Sequence, residues 1–338
     1  MVRRARRSSG RVTLEDVARH VGVSKITVSR VLREPHRVSP TLRERVEQSI
    51  DRLGYIPNHH AGALASARSR SIALLVPSLS NSVFSEVLRG VDEIFDGTGY
   101  QVLLGHSSYS TLEEERLVNT YLSFGVDGFI ISGVRHTDRT RAQLMRSRLP
   151  VVEIMELPEC PIDMAVGFSH EQAGHDMTRA LIDAGYARIG FGGARMDHRA
   201  QSRLAGWRRA MYEADRDDSA CLTTMHPSSY RLGADLLGDM LSRWPELDAI
   251  FFCNDDLAAG ALFECQRRGM RVPEQLALAG YNGLDITEAT SPSLSTVVTP
   301  RKRIGLDAAR LLLSRLNDET PERTCIDTGY TIAMRESA

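Results

Sequence analysis

The chain is short of the features that define several large protein classes. Its five cysteines (Cys160, Cys221, Cys253, Cys265 and Cys325) are odd in number, widely scattered and free of any C-x-x-C pair. That pattern excludes a disulfide scaffold and a zinc module, and fits a reducing compartment. No run approaches eighteen uninterrupted apolar residues, so no membrane-spanning helix is expected. Arg3, Arg4, Arg6 and Arg7 lead into Ser8, Ser9 and Gly10 rather than an apolar secretory core, which points to a cytoplasmic protein. Catalytic signatures are missing too: there is no P-loop, no G-x-S-x-G elbow and no H-E-x-x-H. Gly190, Gly192 and Gly193 in GFGGAR do not match G-x-G-x-x-G and read as a turn, and the ten histidines are scattered. The expectation is a protein that is not an enzyme and holds no metal or cofactor.

What is present is a charge asymmetry. The 338 residues are 42% hydrophobic and 25% charged, enough for two or three ordinary domains, and the total net charge is only −1. Yet the first seventy residues carry fifteen Lys and Arg against six Asp and Glu, a net +9, which leaves −10 on the remainder. A small basic module built to meet a polyanion is joined to a large acidic one.

In the basic module, Thr13 is placed to cap a helix with Asp16 as its capping-box partner, and Val17, Ala18 and Val21 share one face. Gly22 permits a tight turn, Ser24 caps a second helix, and Val28, Val31 and Leu32 give that helix its inward stripe. This is a helix-turn-helix. A third helix starts at Ser39 and Pro40, buries Leu42, Val46, Ile50 and Leu53, and stops at Gly54. The second helix leaves Lys25, Ile26, Thr27, Ser29 and Arg30 pointing outward. Cationic side chains there suit guanine edges, and methyl groups suit thymine methyls, in a major groove. Arg43, Arg45 and Arg52 are candidates for phosphate contacts.

TLEDVARHVGVSKITVSRVL followed by RVSPTLRERVEQSIDRLGYIPN resembles the DNA-binding headpiece of the lac and gal repressor family. The resemblance implies that the segment after YIPN becomes a hinge helix on operator DNA, with a leucine wedged into the minor groove. The matching residues are Asn58, Ala61, Leu64 and Ala65. Unstacking a base step costs a few kcal/mol, so such a wedge is useful where bending the DNA gains further contacts. Gly62 weakens an isolated helix by roughly 0.5 to 1 kcal/mol, so the hinge is expected to order on DNA.

From Ser71 onward, apolar runs (SIALLVP, YQVLLGH, VDGFIIS, PVVEIME, DMAVGF, RIGFGG, LDAIFFC, LALAGY) alternate with amphipathic helical stretches. The pattern predicts an α/β module of two lobes, each a doubly wound parallel sheet, with ligands at the carboxyl ends of strands. Ser78, Ser80, Asn81, Val83 and Phe84 follow the first strand. Arg195, Asp197, Arg199 and Arg203 follow RIGFGG, Asn254 to Asp256 follow LDAIFFC, and Asn282 follows LALAGY. Glu153 and Glu156 end another strand, free either to bind polyol hydroxyls or to neutralise an arginine.

The resemblance continues through SRLAGW, NDDLAAGA and GYNGLDI, and implies a periplasmic-binding-protein-like effector domain with a small effector between its lobes. It places Arg203 and Asn254 on the effector, with Phe84, Arg199 and Asn282 beside it. Many sugar-binding members carry an aspartate at the Asn282 position, and a neutral amide removes its repulsion of an anion. Arg199 and Arg203, four apart, can face one carboxylate. NSVFSEVLRG, AVGF, NDDLAAGALFECQR and TPR are similar to the gluconate-responsive repressors of the family.

Together these readings predict a helix-turn-helix domain over residues 1–57, a hinge over 58–68 and an effector-binding and dimerisation domain over 69–338. The function expected is a dimeric repressor released from a palindromic operator by a sugar acid. Gluconate comes first, 2-ketogluconate or 6-phosphogluconate next, then a neutral sugar. A transport-type binding protein would carry an export signal and no DNA-binding module, and a sugar kinase would need a phosphate cradle. No leucine heptad follows TGYTIAMRESA, so a tetramer is not expected.

Overall fold

A computed structural model describes residues 12–56 and 69–338, and the chain divides into two compact units, residues 1–69 and 70–338. The hinge positions Asn58, Ala61, Leu64 and Ala65 lie outside the described residues.

Among its described residues the first unit has three α-helices, α1 (Leu14–Val21), α2 (Lys25–Arg33) and α3 (Pro40–Leu53), with a short 3-10 turn at Pro35–Arg37. Thr13 and Asp16 form the reciprocal capping box, Gly22 turns the chain at φ 76°, and the Ser24 hydroxyl accepts the Thr27 N–H. Val17, Ala18, Val21, Val28, Val31 and Val46 close the core. Two details differ from expectation. Leu32 is 38% exposed, because a core this small takes only the Val28–Val31 edge of α2. Ser39 makes no side-chain cap, so the start of α3 rests on the fixed φ of Pro40.

The second unit holds two six-stranded sheets. In the first lobe, β1 (Ser71–Val76), β2 (Gln101–His106), β3 (Gly128–Ser132), β4 (Val151–Met155), β5 (Met164–Gly167) and β11 (Cys325–Asp327) run in the order β11-β5-β4-β3-β1-β2. In the second, β6 (Ile189–Ala194), β7 (Cys221–Thr224), β8 (Ala249–Phe252), β9 (Ala277–Asn282), β10 (Ser295–Val298) and β12 (Thr331–Ala333) repeat that order as β12-β10-β9-β8-β6-β7. All eight predicted strands form; seven are buried runs, which fit a sheet covered on both faces, while the edge strand β2 is largely open. The four strands not predicted are three or four residues long and three of them hold Thr or Ser. One of them, β12, pairs antiparallel with β10, where purely parallel sheets were expected.

The chain passes between the lobes three times: after β5 into α7 (His170–Asp183), after β10 into α12 (Arg301–Leu316), and between β11 and β12. In the first lobe α12 lies against α4 (Ser82–Phe95) at backbone contact. A Cβ on Gly305 would stand 2.1 Å from the Val87 carbonyl oxygen, so glycine is required there.

Glu153 is fully buried on β4, on the sheet face covered by α5 (Thr111–Phe124). His136 bridges it to α5, with Nδ1 2.6 Å from Glu114 and Nε2 3.3 Å from Glu153. The other Glu153 oxygen accepts the Ile162 N–H at 2.6 Å. Burial opposes charge on His136, but hydrogen bonds and attraction from both glutamates outweigh it and raise the pKa to about 9. A raised imidazole pKa stabilises the fold in full below the ordinary value of 6.5, and that contribution is lost as pH climbs through about 9. Thermal scans from pH 6 upward should therefore show the wild-type melting temperature falling more steeply toward pH 9 than that of His136→Gln. Parallel profiles would mean that the folded protein holds His136 uncharged.

Candidate ligand cleft and nucleic-acid interface

The carboxyl ends of β1, β4, β6, β8 and β9 converge on a cleft between the lobes, because both sheets reverse strand order at matching places and leave a crevice there. The cavity measures about 140 Å³. Drug-sized ligands occupy pockets of roughly 300–1,000 Å³, so this one suits a smaller molecule. Lobe one supplies Ser78, Ser80, Asn81, Val83, Phe84, Tyr109 and Met155. Lobe two supplies Ala194, Arg195, Asp197, Arg199, Ala200, Arg203, Ser228, Cys253, Asn254, Asp256 and Asn282.

Arg203, on α8 (His198–Glu213), forms the floor. Its Nη1 donates to the Cys253 carbonyl at 2.5 Å, its Nε to His170 Nδ1 at 3.4 Å, and its guanidinium lies 3.8 Å from the Tyr281 ring centroid. Arg199, one turn earlier, crosses to lobe one: Nη1 donates to Ser132 Oγ at 3.2 Å and Nε stands 3.8 Å from Glu156. Glu156 also lies 3.4 Å from His198. Glu156 is absent from the cavity lining and neutralises Arg199 from behind. Arg195 stacks over the Tyr109 ring at 4.1 Å across the lobes, and among the described residues no carboxylate pairs with it. Asp197 caps α8 through the Ala200 N–H. Burial works to raise its pKa, but Arg199 and Arg203 prevail and lower it.

Asn254 caps α10 (Asp255–Arg267) through the Leu257 N–H at 3.1 Å and donates its amide to Ser228. Asp255 turns away from the cavity to accept from the Leu284 N–H and the Thr296 hydroxyl, and burial lifts its pKa to about 6. Asn282 sits at φ 120° with its backbone carbonyl held by Thr299 and Arg301, which leaves its side chain facing the cavity. Burial pushes the Cys253 thiol up to about 11, so it is not a thiolate at neutral pH.

Of the eight residues expected at the ligand, Ser80, Val83, Phe84, Arg199, Arg203, Asn254 and Asn282 all line this one cavity. Tyr109 and Ser228 were missed. Both follow the carboxyl ends of strands, β2 and the unpredicted β7, so the same rule applied to those loops finds them. His170 and Tyr281, under the floor, carried no sequence signal.

In the first unit, Lys25, Ile26, Ser29 and Arg30 line one open groove along α2. Ile26 is 71% exposed. Lys25 reaches Glu15 at 2.7 Å, and Thr27 Oγ1 lies 2.9 Å from Ser24 Oγ. Arg45 is committed to the fold, donating to the Val21 carbonyl at the end of α1 at 2.9 Å, and Arg43 pairs with Glu47 at 3.1 Å. Among the described residues there is no metal-holding group of His, Cys, Asp or Glu, and no helix long and apolar enough to cross a membrane.

Residues 13–58 match the bacterial regulatory proteins of the lacI family, and residues 178–338 match the periplasmic binding protein-like domain. The chain is 41% identical to the HTH-type transcriptional regulator GntR of Escherichia coli K12, over 96% of its own length and 97% of that protein's. The chain belongs to the lacI family. Among solved structures, a LacI family regulator from Silicibacter pomeroyi matches with a TM-score of 0.92 at 38% identity, covering 96% of this chain and 99% of that one. The lac repressor dimer bound to operator and the anti-inducer ONPF matches with a TM-score of 0.83 at 25% identity, covering 97% and 99%. This lacI-family member is thus a DNA-binding transcriptional regulator and not an enzyme.

Asn254 has two tasks, capping a helix and lining the cleft, and substitution separates them. Asn254→Ala should cost about 1 kcal/mol in urea unfolding through loss of the cap, whereas Asn254→Asp should cost close to nothing. Equal losses in both variants would show that the amide, not the cap, holds this end of α10.

Proposed function

We propose that the protein is a repressor that binds a palindromic operator as a homodimer and is released when a sugar acid, gluconate first, occupies the cleft. The observation that carries this reading is the cavity's chemistry. Arg195 offers a cation with no carboxylate partner among the described residues, beside the amides of Asn81, Asn254 and Asn282. A ligand with one carboxylate and several hydroxyls matches that set. The carboxylate anchor moves accordingly from Arg199, which Glu156 already neutralises, to Arg195 with Arg203. 2-Ketogluconate and 6-phosphogluconate fit the same description. Asp197 and Asp256 also line the cavity and favour hydroxyls, which makes a neutral sugar the second reading.

On the DNA side, residues 1–57 would dock Lys25, Ile26, Thr27, Ser29 and Arg30 in the major groove, with 58–68 as the hinge and 69–338 as the effector and dimerisation domain. A two-fold operator needs two recognition helices one helical turn apart, which a homodimer supplies. The likeness to a lac repressor dimer on its operator supports this arrangement.

Thermal unfolding with gluconate, 2-ketogluconate, 6-phosphogluconate and glucose tests the ligand class. A ligand at 100 times its dissociation constant adds about 2.7 kcal/mol to stability. One acid should stabilise selectively, and Arg195→Ala should erase its advantage over glucose, a loss of about 1.5–3 kcal/mol in binding. Stabilisation by glucose alone, or an Arg195→Ala protein that still prefers the acid, would remove the sugar-acid reading. On DNA, Arg30→Ala should cost about 1–3 kcal/mol and relax one base position. The same loss on every sequence would reassign Arg30 to the phosphate backbone.

A further inference from the structure

His170 is the first residue of α7, just past the first crossing between the lobes, and its ring is buried with both nitrogens engaged. Nε2 lies 3.1 Å from the Met155 carbonyl oxygen at the end of β4 in lobe one. A carbonyl only accepts, so Nε2 carries the hydrogen. Nδ1 lies 2.9 Å from the Tyr281 hydroxyl and 3.4 Å from Arg203 Nε, both of lobe two. A guanidinium only donates, so Nδ1 is the acceptor. The two assignments are independent and agree on one species, the neutral ring with its hydrogen on Nε2. Burial, and then the charges of Arg203 and Arg199, hold the imidazole pKa well below its ordinary value, in keeping with that species.

The surroundings belong to the crossings. Phe168, in the first, packs its ring 4.5 Å from that of His170, and Tyr330, in the third, packs 5.8 Å from Phe168. Thr328 donates to the Gly167 carbonyl at 3.2 Å and binds the two crossings together. Met155 holds φ 80°, a left-handed conformation that costs a non-glycine residue energy, and it aims the carbonyl that His170 uses.

We propose that His170 is a positioning residue that transmits occupancy of the cleft, read at Arg203, to the angle between the lobes. The proposal rests on the reading above, in which cleft occupancy controls DNA release. An anion drawing on Arg203 takes the guanidinium away from Nδ1, and the ring then shifts against the Met155 carbonyl. A rotation that opens the 3.1 Å contact by about 0.5 Å ends that hydrogen bond, so the ring holds one lobe arrangement and not the other.

Two substitutions separate the arms. In His170→Asn the amide oxygen replaces Nδ1 as acceptor, and nothing reaches Met155. In His170→Gln the longer amide reaches Met155, and the acceptor for Arg203 is lost. Full-length protein is measured twice: by spin-label distances between Met145 and Tyr212, exposed positions on the two lobes, without ligand and with Cys160 and Cys325 replaced; and by operator affinity with and without gluconate. His170→Asn should broaden the distance distribution and cut the gluconate effect on operator affinity by about tenfold. His170→Gln should keep the narrow distribution and weaken gluconate binding by about tenfold. A ring that serves only as packing would move both variants alike, and that result, or wild-type distances in both, overturns the proposal. If gluconate and the other acids fail to bind the wild type, the sugar-acid reading falls, while the ligand-free distances still decide the role of His170.

Discussion

A guanidinium buried at the base of the cleft constrains everything around it. An arginine taken out of water costs several kcal/mol unless its donors and its charge are both met. Arg203 is met by the Cys253 carbonyl from the end of β8, by His170 from the first crossing, by the face of Tyr281 from β9 and by the charge of Asp197 at the start of its own helix. Four elements are therefore fixed against one side chain, and the side chain is fixed in turn with an edge on the cavity. Met155 of lobe one joins that group through His170, so the floor of the cleft is tied to both lobes.

The rest of the architecture serves this arrangement. Two lobes with the same strand order bring the carboxyl ends of their strands to one crevice, and three short crossings join them. Side chains on the cleft walls reach across rather than along: Arg199 to Ser132 and Glu156, Arg195 to Tyr109, His170 to Met155. A ligand that competes for Arg195 or Arg199 therefore meets a side chain that joins the two lobes. The headpiece has its own valine core and its own caps, so its helices need nothing from the large unit to form.

Much of this was legible in the sequence because it follows from local rules. Thr13 with Asp16, Gly22 and Ser24 state the helix-turn-helix outright, and buried apolar runs such as SIALLVP and LDAIFFC state the central strands. The strand-end rule then collected Ser80, Phe84, Arg203, Asn254 and Asn282 into one site. What escaped depends on distant partners. The short strand β7 and the antiparallel β12 exist because neighbours offer hydrogen bonds, and their own residues give no period to read. Arg45 looks like any basic headpiece residue until the Val21 carbonyl is found beside it. Glu153 and Glu156 read alike as strand-end carboxylates, yet one is held by His136 inside the lobe and the other backs Arg199. His170, the junction of floor and crossing, is a lone histidine at a helix start.

The central claim is that filling the cleft with a sugar acid loosens DNA. The most direct measurement is the affinity of the full-length protein for an operator selected from random duplexes, followed by fluorescence anisotropy as sodium gluconate replaces sodium chloride at constant ionic strength. Constant salt matters because DNA affinity falls steeply with it. The account predicts a saturable fall in affinity of about tenfold or more with gluconate and none with glucose. Affinity that stays level, or that rises, across the gluconate titration would contradict it.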